Sequence, residues 1–197
     1  RERLDLREVL EHSFDTARSL IEEKGHALTV VLPDAPIYVD GDTVRLTQVF
    51  GNLLTNAAKY TPKGGAIRLD VELEERGSTV AVRVCDDGEG IAQDMLERVF
   101  ELFTQANNSD SRTQAGLGIG LALVRGLVDL HGGTVSAESD GPGRGAQFTV
   151  RLPLVAAPPV VAAEAATETE PRPIGLRLLI IDDNVDRYPA MLRDNRQ

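Results

Sequence analysis

Asn52, Asn56 and Lys59 stand at helical spacing, and at about 100° per residue they fall within roughly 60° of one another. Leu46, Val49, Leu53 and Ala57 cluster about 120° away, so one face of this helix serves a core and a polar stripe faces a site. Two uncharged oxygen donors beside an ammonium suit a hydrated magnesium ion that bridges phosphates, because magnesium keeps several waters and takes its ligands mainly from the phosphates. Asp86 ends an apolar strand pattern and is followed by Gly88 and Gly90, which let the backbone turn sharply beneath a flat ring. A carboxylate there can accept the exocyclic amine of adenine. Gly116, Gly118 and Gly120 directly precede a helical pattern, so their amides and the helix dipole can face a triphosphate.

Taken singly, each group has a plainer reading. The Asn and Lys residues fit a solvated helix face, Asp86-Asp87-Gly88 fits a hairpin turn, and Gly143-Arg144-Gly145 fits another. Phe100 and Phe103 ahead of the polar stretch 104 to 115 fit a surface loop pinned by core aromatics as well as a loop that closes on a ligand. Cys85 reads as a small core residue, with alternation shared with Val82 and Val84, and carries no assigned chemistry.

These groups need elements to hold them. Asp5 and Glu8 form a capping box before a first helix whose apolar periodicity runs to Lys24 and stops at Gly25. Short strands are expected at 27 to 32 and 37 to 39, separated by a Pro-Asp-Ala-Pro turn. Asp42 caps a second helix to about Tyr60, ended by Thr61-Pro62. Alternating residues from Ile67 to Leu73 and from Val80 to Val84 predict a hairpin, a helix follows over 121 to 130, and 134 to 138 with 147 to 152 make a last strand pair. Helices interleaved with strand pairs predict an α+β, two-layer α/β sandwich, a mixed sheet with helices on one face.

With 197 residues, 42% of them hydrophobic, the chain can bury one core of ordinary size with a remainder. A net charge of −10 and the lack of a basic run exclude a nucleic-acid surface as the expectation. One cysteine allows no internal disulfide and fits a reducing compartment, and no apolar run reaches the ~20 residues of a membrane span. The expectation is a cytoplasmic segment without membrane contact of its own, in a parent that could be anchored upstream.

In order, Asn52-Leu-Leu-Thr-Asn56-Ala-Ala-Lys59-Tyr60, Asp86-Asp-Gly88-Glu-Gly90, Gly116-Leu-Gly118-Ile-Gly120-Leu121 and Gly143-Arg-Gly145 resemble the catalytic and ATP-binding domain of sensor histidine kinases, within the GHKL ATPase superfamily. The resemblance covers residues 5 to 154 and implies a Bergerat-type fold that binds ATP and Mg. It implies Asn56 as the main magnesium ligand, Asn52 in support and Lys59 near the phosphates, these three being the catalytic set. By the same resemblance, Tyr60 is expected to pack beside the nucleotide, Asp86 to read adenine with Gly88 and Gly90 turning beneath it, and Gly116, Leu117, Gly118, Ile119, Gly120 and Leu121 to cradle the phosphates. Phe100 to Phe103 and the loop after them resemble the family's F box and ATP lid, which is expected to be mobile until nucleotide binds.

The resemblance further implies transfer of the γ-phosphate to a histidine on a dimerisation and phosphoacceptor domain, a homodimeric parent, and a downstream response-regulator receiver. His12, His26 and His131 lack the acidic follower of the family's acceptor, so all three are expected to be structural and the acceptor to lie before Arg1. Hydrolytic relatives such as DNA gyrase carry Glu where Asn52 stands, and an amide cannot take a proton from water, so a gyrase-like ATPase is disfavoured. An ATP-gated interaction module without catalysis remains an alternative. Residues 155 to 173, rich in Ala, Pro and Glu, read as a linker. From 174 to 197 the run Leu176 to Ile181 followed by Asp182-Asp183 resembles the start of a receiver-like domain, expected to be incomplete because a downstream acceptor Asp is missing and Pro189 interrupts the next helix. That tail is expected to dock at most through 176 to 181.

Overall fold

The computed structural model describes residues 1–74, 78–104 and 118–157, together with the backbone of strand 176–181. The elements run β1 (Glu2–Asp5), α1 (Leu6–Lys24), β2 (Ala27–Pro33), β3 (Tyr38–Gly41), α2 (Thr43–Tyr60), β4 (Ala66–Leu73), β5 (Thr79–Asp86), a 3-10 turn (Gln93–Met95), α3 (Gly120–Leu130), β6 (Thr134–Glu138), β7 (Ala146–Pro153) and β8 (Leu176–Ile181).

Six strands form one sheet in the order β6-β7-β5-β4-β2-β8. Only β2 and β4 are parallel, their crossover carrying α2, so the sheet is mixed as the interleaved pattern predicts. Alternation decides its two faces. Ile67, Leu69 and Val71 on β4, Val80, Val82 and Val84 on β5, and Phe148, Val150 and Leu152 on β7 are all buried against the helical layer. Arg68, Asp70, Glu72, Arg83 and Arg151 point the other way, where Arg68 pairs Asp70, Arg83 pairs Glu72 and Arg151 pairs Glu74. Cys85 shares that outer parity, half-buried with its thiol 3.4 Å from Gln147 Oε1, so it is not the core residue its neighbours suggested.

Each helix covers a different part of the sheet, α3 over β6, α2 over β5 and α1 over β2, with α2 packed between the other two. The central helix buries Leu46, Val49, Phe50, Leu53, Leu54, Ala57 and Ala58. Leu53 has no exposed surface, and truncating it to Ala should cost about 2–5 kcal/mol. Asp5 and Asp42 cap α1 and α2 as the residue types require, and Gly25 ends α1 in the left-handed region at φ 63°. The first cap differs from a capping box in detail. Asp5 accepts from the Arg7 amide at 3.1 Å and also grips the Arg7 guanidinium, and no reciprocal Glu8 bond forms. Burial pushes the Asp5 carboxyl up, but the Arg7 and Ile37 hydrogen bonds outweigh it and hold the group below its ordinary value.

Two strands stand apart from the main sheet. β3 does not pair with β2 but leaves the main sheet for a two-stranded ribbon with β1, in register from Glu2↔Gly41 to Asp5↔Tyr38. The Pro36 turn carries the chain out of the sheet, and Leu4 and Val39 are buried beneath the ribbon. The predicted loop at 104 to 115 lies, apart from residue 104, outside the described residues, as does most of the linker.

Candidate functional site

Period-2 alternation along β5 gives the first placement. Asp86 has the parity of Val80, Val82 and Val84, so its carboxylate stands on the helical side of the sheet, at the end of the strand over which α2 lies. Its Oδ1 accepts from Gly88 N at 2.9 Å and Ala146 N at 3.3 Å, and among the described residues Oδ2 has no partner. Burial raises the Asp86 carboxyl above its ordinary value; the two backbone amides pull it down and the neighbouring Asp87 charge pushes it up further. Asp87 does different work. Its Oδ1 accepts from Ala66 N at 2.8 Å, tying the turn to the start of β4.

The Asp86–Gly90 turn is locked from two sides. On one, Glu89 N donates to Tyr60 O at 3.0 Å, and a Cβ on Gly88 would stand 2.5 Å from that same carbonyl oxygen. On the other, Gly145 N donates to Gly88 O at 3.1 Å and Gly143 N to Glu89 O at 2.6 Å, while a Cβ on Gly145 would collide with the Asp86 carbonyl. Gly143-Arg144-Gly145 is therefore the clamp on the Asp86–Gly90 turn, a sharper role than a second hairpin. Ser139 closes the clamp: its Oγ accepts from Ile91 N at 3.0 Å and donates to Gly145 O at 2.6 Å. Sequence reasoning missed Ser139, which is neither charged nor part of a glycine pattern.

Helix α2 ends with every one of its last four carbonyls satisfied. Ala57 O accepts from Thr61 N at 3.0 Å, Ala58 O from His26 Nε2 at 2.9 Å, Lys59 O from Lys24 Nζ at 2.6 Å, and Tyr60 O from Glu89 N. His26 is thus structural, with its Nε2 protonated and Nδ1 buried without a partner among the described residues. Lys24 was missed as well; in the sequence it marked only the last residue before the Gly25 stop of α1. The Lys59 ammonium lies 4.9 Å from the Tyr60 ring centroid, and that ring is 45% exposed at the mouth of the turn.

Asn52 and Asn56 are half-buried on α2 between buried Leu53 and Ala57 and the exposed side of the helix, and their amides have no hydrogen-bond partner among the described residues. A pair of unpaired amides at a half-buried stripe fits a magnesium ion that draws most of its ligands from phosphates and water. No cluster of three or more His, Cys, Asp or Glu side chains occurs among the described residues to hold a metal by protein ligands alone.

The third glycine group enters through helix packing. His131 closes α3, its Nδ1 donating to Leu127 O at 2.6 Å while its Nε2 accepts from Asp42 N at 3.1 Å. The end of α3 is thereby fixed to the start of α2, and the two helices pack side by side in opposite directions. The 11 residues of α3 span about 16 Å, which carries Gly120 level with the stretch of α2 holding Asn52 and Asn56. Unlike α1 and α2, α3 begins without a side-chain cap, so among the described residues its first amides have no side-chain partner and could meet an anion. Gly118 adopts φ 68° and its carbonyl accepts from Phe103 N at 3.1 Å; Ile119 is exposed and Leu121 packs against the core. Gly116 and Leu117 lie outside the described residues.

Only one of the two aromatics anchors as expected. Phe100 is buried and meets Phe148 edge-on with centroids 6.2 Å apart. Phe103 is 72% exposed at φ 62°, a conformation that a bulky residue rarely adopts, and its backbone lies so close to Gly118 that a Cβ there would stand 3.0 Å from it.

Comparison with known proteins gives concordant matches. A family model described as "Histidine kinase-, DNA gyrase B-, and HSP90-like ATPase" matches residues 41–156. The sensor histidine kinase RcsC of Escherichia coli (strain K12) is 39% identical over 152 residues, 77% of this chain and 16% of that protein. The hybrid signal transduction histidine kinase D of Dictyostelium discoideum is 38% identical over 138 residues, 68% of this chain and 9% of that protein. Among solved structures, a mycobacterial sensor histidine kinase, MprB, aligns with TM-score 0.67 and 29% identity over 78% of this chain and 98% of that one. Full-length ShkA in complex with AMPPNP aligns with TM-score 0.65 and 31% identity over 79% of this chain and 31% of that one. The chain thus spans under a fifth of the length of these two curated relatives.

Proposed function

This chain belongs to the histidine kinase-, DNA gyrase B- and HSP90-like ATPase family, and from that membership we propose that it binds ATP with magnesium and hands the γ-phosphate to a histidine on a separate phosphoacceptor domain. The observation that carries the proposal is the His131–Asp42 contact. It runs α3 antiparallel to α2 and so sets the uncapped start of α3 level with the Asn52–Asn56 stripe, on the sheet face that Asp86 shares.

Each group then has one task. Asp86, held through Oδ1, offers Oδ2 to the adenine exocyclic amine, and Tyr60 lies beside the ring. Amides at Gly118 to Leu121 meet the phosphates, and Lys59 supplies a cation close by. Asn52 and Asn56 would hold magnesium, which when bound neutralises phosphate charge. Neither Asn can deprotonate water, so the bound triphosphate awaits an imidazole nucleophile from outside.

His26 and His131 are buried and committed to backbone hydrogen bonds, which supports an acceptor elsewhere. The parent is proposed to be a homodimeric sensor kinase with residues 1–154 as its ATP-binding domain, 155–173 as linker and a receiver-like segment from 174. A relative named as a hybrid signal transduction histidine kinase supports a receiver in the parent. The test is incubation with γ-labelled ATP, with and without a phosphoacceptor-helix hairpin from a histidine kinase of this family. Acid-labile label on the hairpin histidine is the expected result. Label on this chain alone, or release of free phosphate at the same rate with and without the hairpin, contradicts the proposal.

A further inference from the structure

The sheet would end at β2 if β8 were not beside it. An edge strand leaves a row of amides and carbonyls open, and proteins protect such edges with charge, proline or a bulge. β2 reads Ala27-Leu-Thr-Val-Val-Leu-Pro33, with no charged residue and proline only at its last position. An edge so rich in apolar and β-branched residues and so poor in gatekeepers is built to be paired. The pairing found is an antiparallel ladder of six residue pairs, from Leu28↔Ile181 to Pro33↔Leu176.

We propose that the outer edge of β2 is a strand-addition surface whose occupant is this chain's own Leu176–Ile181 segment, and that its occupation fixes the downstream chain at the end of the sheet that carries Asp86.

Topology allows the segment to reach this edge within one chain. Pro153 leaves β7 opposite Thr79, at the end of the sheet where β4 finishes and where Pro33 meets Leu176. From β7 to β8 is four strand spacings, about 19 Å. Residues 158–175 lie between, and a chain of that length extends to about 60 Å, so the connection is ample. A tethered strand also has a high effective concentration at an edge it can reach.

Register gives the consequence. Ile181 faces Leu28, Leu28 faces Ile67, Ile67 faces Asp86, and Asp86 faces Ala146, one row across the sheet. Three strand spacings put the exit of β8 about 14 Å from Asp86 along that row. Whatever follows Ile181 therefore departs from the nucleotide end of the domain. The segment is a continuous apolar run apart from Arg177, and such a run is the pattern of a strand buried on both faces.

Hydrogen exchange on the full chain tests this, comparing the unaltered protein with a Leu178→Pro/Leu179→Pro variant that removes ladder donors of both parities. Protection of the β2 amides should fall by roughly tenfold or more in the variant, while β4 and β5 keep theirs and ATP affinity is unchanged. Equal β2 protection in the two proteins overturns the proposal. Loss of protection across β4 and β5 as well would show β8 to be integral rather than docked, and also overturns it. Protection of β2 that rises with protein concentration would identify a second copy as the source of the strand and overturn the assignment within one chain.

Discussion

Nε2 of His131 accepts the backbone N–H of Asp42 across a distance of 3.1 Å, and through this bond the residue that closes α3 is tied to the residue that caps α2. The imidazole must keep Nδ1 protonated to serve Leu127 O and Nε2 bare to receive Asp42 N. Nitrogen NMR should show the Nδ1–H tautomer for His131 and the Nε2–H tautomer for His26. A His131→Phe variant leaves the Asp42 amide unpaired and should lose about 1–3 kcal/mol of stability by denaturant unfolding. A loss under about half a kcal/mol would mean that the contact does not hold the helices together.

Lys24 acts on the other end of α2. Its ammonium satisfies Lys59 O at 2.6 Å and approaches Thr61 O at 3.3 Å, next to the residues proposed to flank the nucleotide. Lys24→Met keeps most of the side-chain volume and removes the charge-assisted bond, so it should cost about 1.5–3 kcal/mol in thermal or denaturant unfolding. ATP affinity should fall with it only if the end of α2 frays, whereas adenine selectivity, which we propose rests on Asp86, should persist.

Ser139 is expected to matter for selectivity more than for phosphate binding. Ser139→Ala removes the acceptor of Ile91 N and the donor to Gly145 O, loosening the clamp on the Asp86–Gly90 turn. Calorimetry should show the ratio of ATP to GTP affinity falling several-fold, about 1 kcal/mol of discrimination, with binding of inorganic triphosphate unaltered. An unchanged ratio would leave Ser139 a stability residue only.

Protonation of Asp86 supplies a pH signature. Because burial raises this carboxyl, its ionised form is disfavoured in the folded protein; that cost is present above the raised folded value and vanishes below the unfolded value of 3.8. The nucleotide-free domain should therefore gain relative stability from this group as pH falls, while the adenine contact is lost. ATP affinity should drop through a midpoint above the ordinary carboxylate value. Asp86→Asn shares the titration of the phosphates and should lack this drop, so a parallel pair of pH profiles would contradict the assignment.

Much of this was legible in the sequence because it depends on short-range rules. Asp5, Gly25 and Asp42 mark helix ends by type, and alternation from Ile67 to Leu73 and Val80 to Val84 fixes which side of the sheet Asp86 joins. What escaped depends on partners distant in sequence. Pairing of β1 with β3 is set by a turn that leaves the sheet, the roles of Ser139 and Lys24 rest on carbonyls whose positions no side-chain pattern reveals, and Cys85 was misplaced by reading it with its neighbours rather than by its parity. Phe103 was expected to anchor its loop and instead is exposed, its backbone packed against Gly118, a contact between residues 15 apart that no side-chain pattern marks.

The central claim is that Asp86 and the Asn52–Asn56 stripe act on one nucleotide, and titration calorimetry of the unaltered chain, Asp86→Asn and Asn56→Ala with ATP and GTP, with and without magnesium, tests it most directly. The unaltered protein should prefer ATP to GTP at least about tenfold, with magnesium strengthening binding. Asp86→Asn should erase the preference while keeping the magnesium effect, and Asn56→Ala should erase the magnesium effect while keeping the preference. ATP and GTP binding equally well to the unaltered chain, or magnesium making no difference to it, would contradict the account.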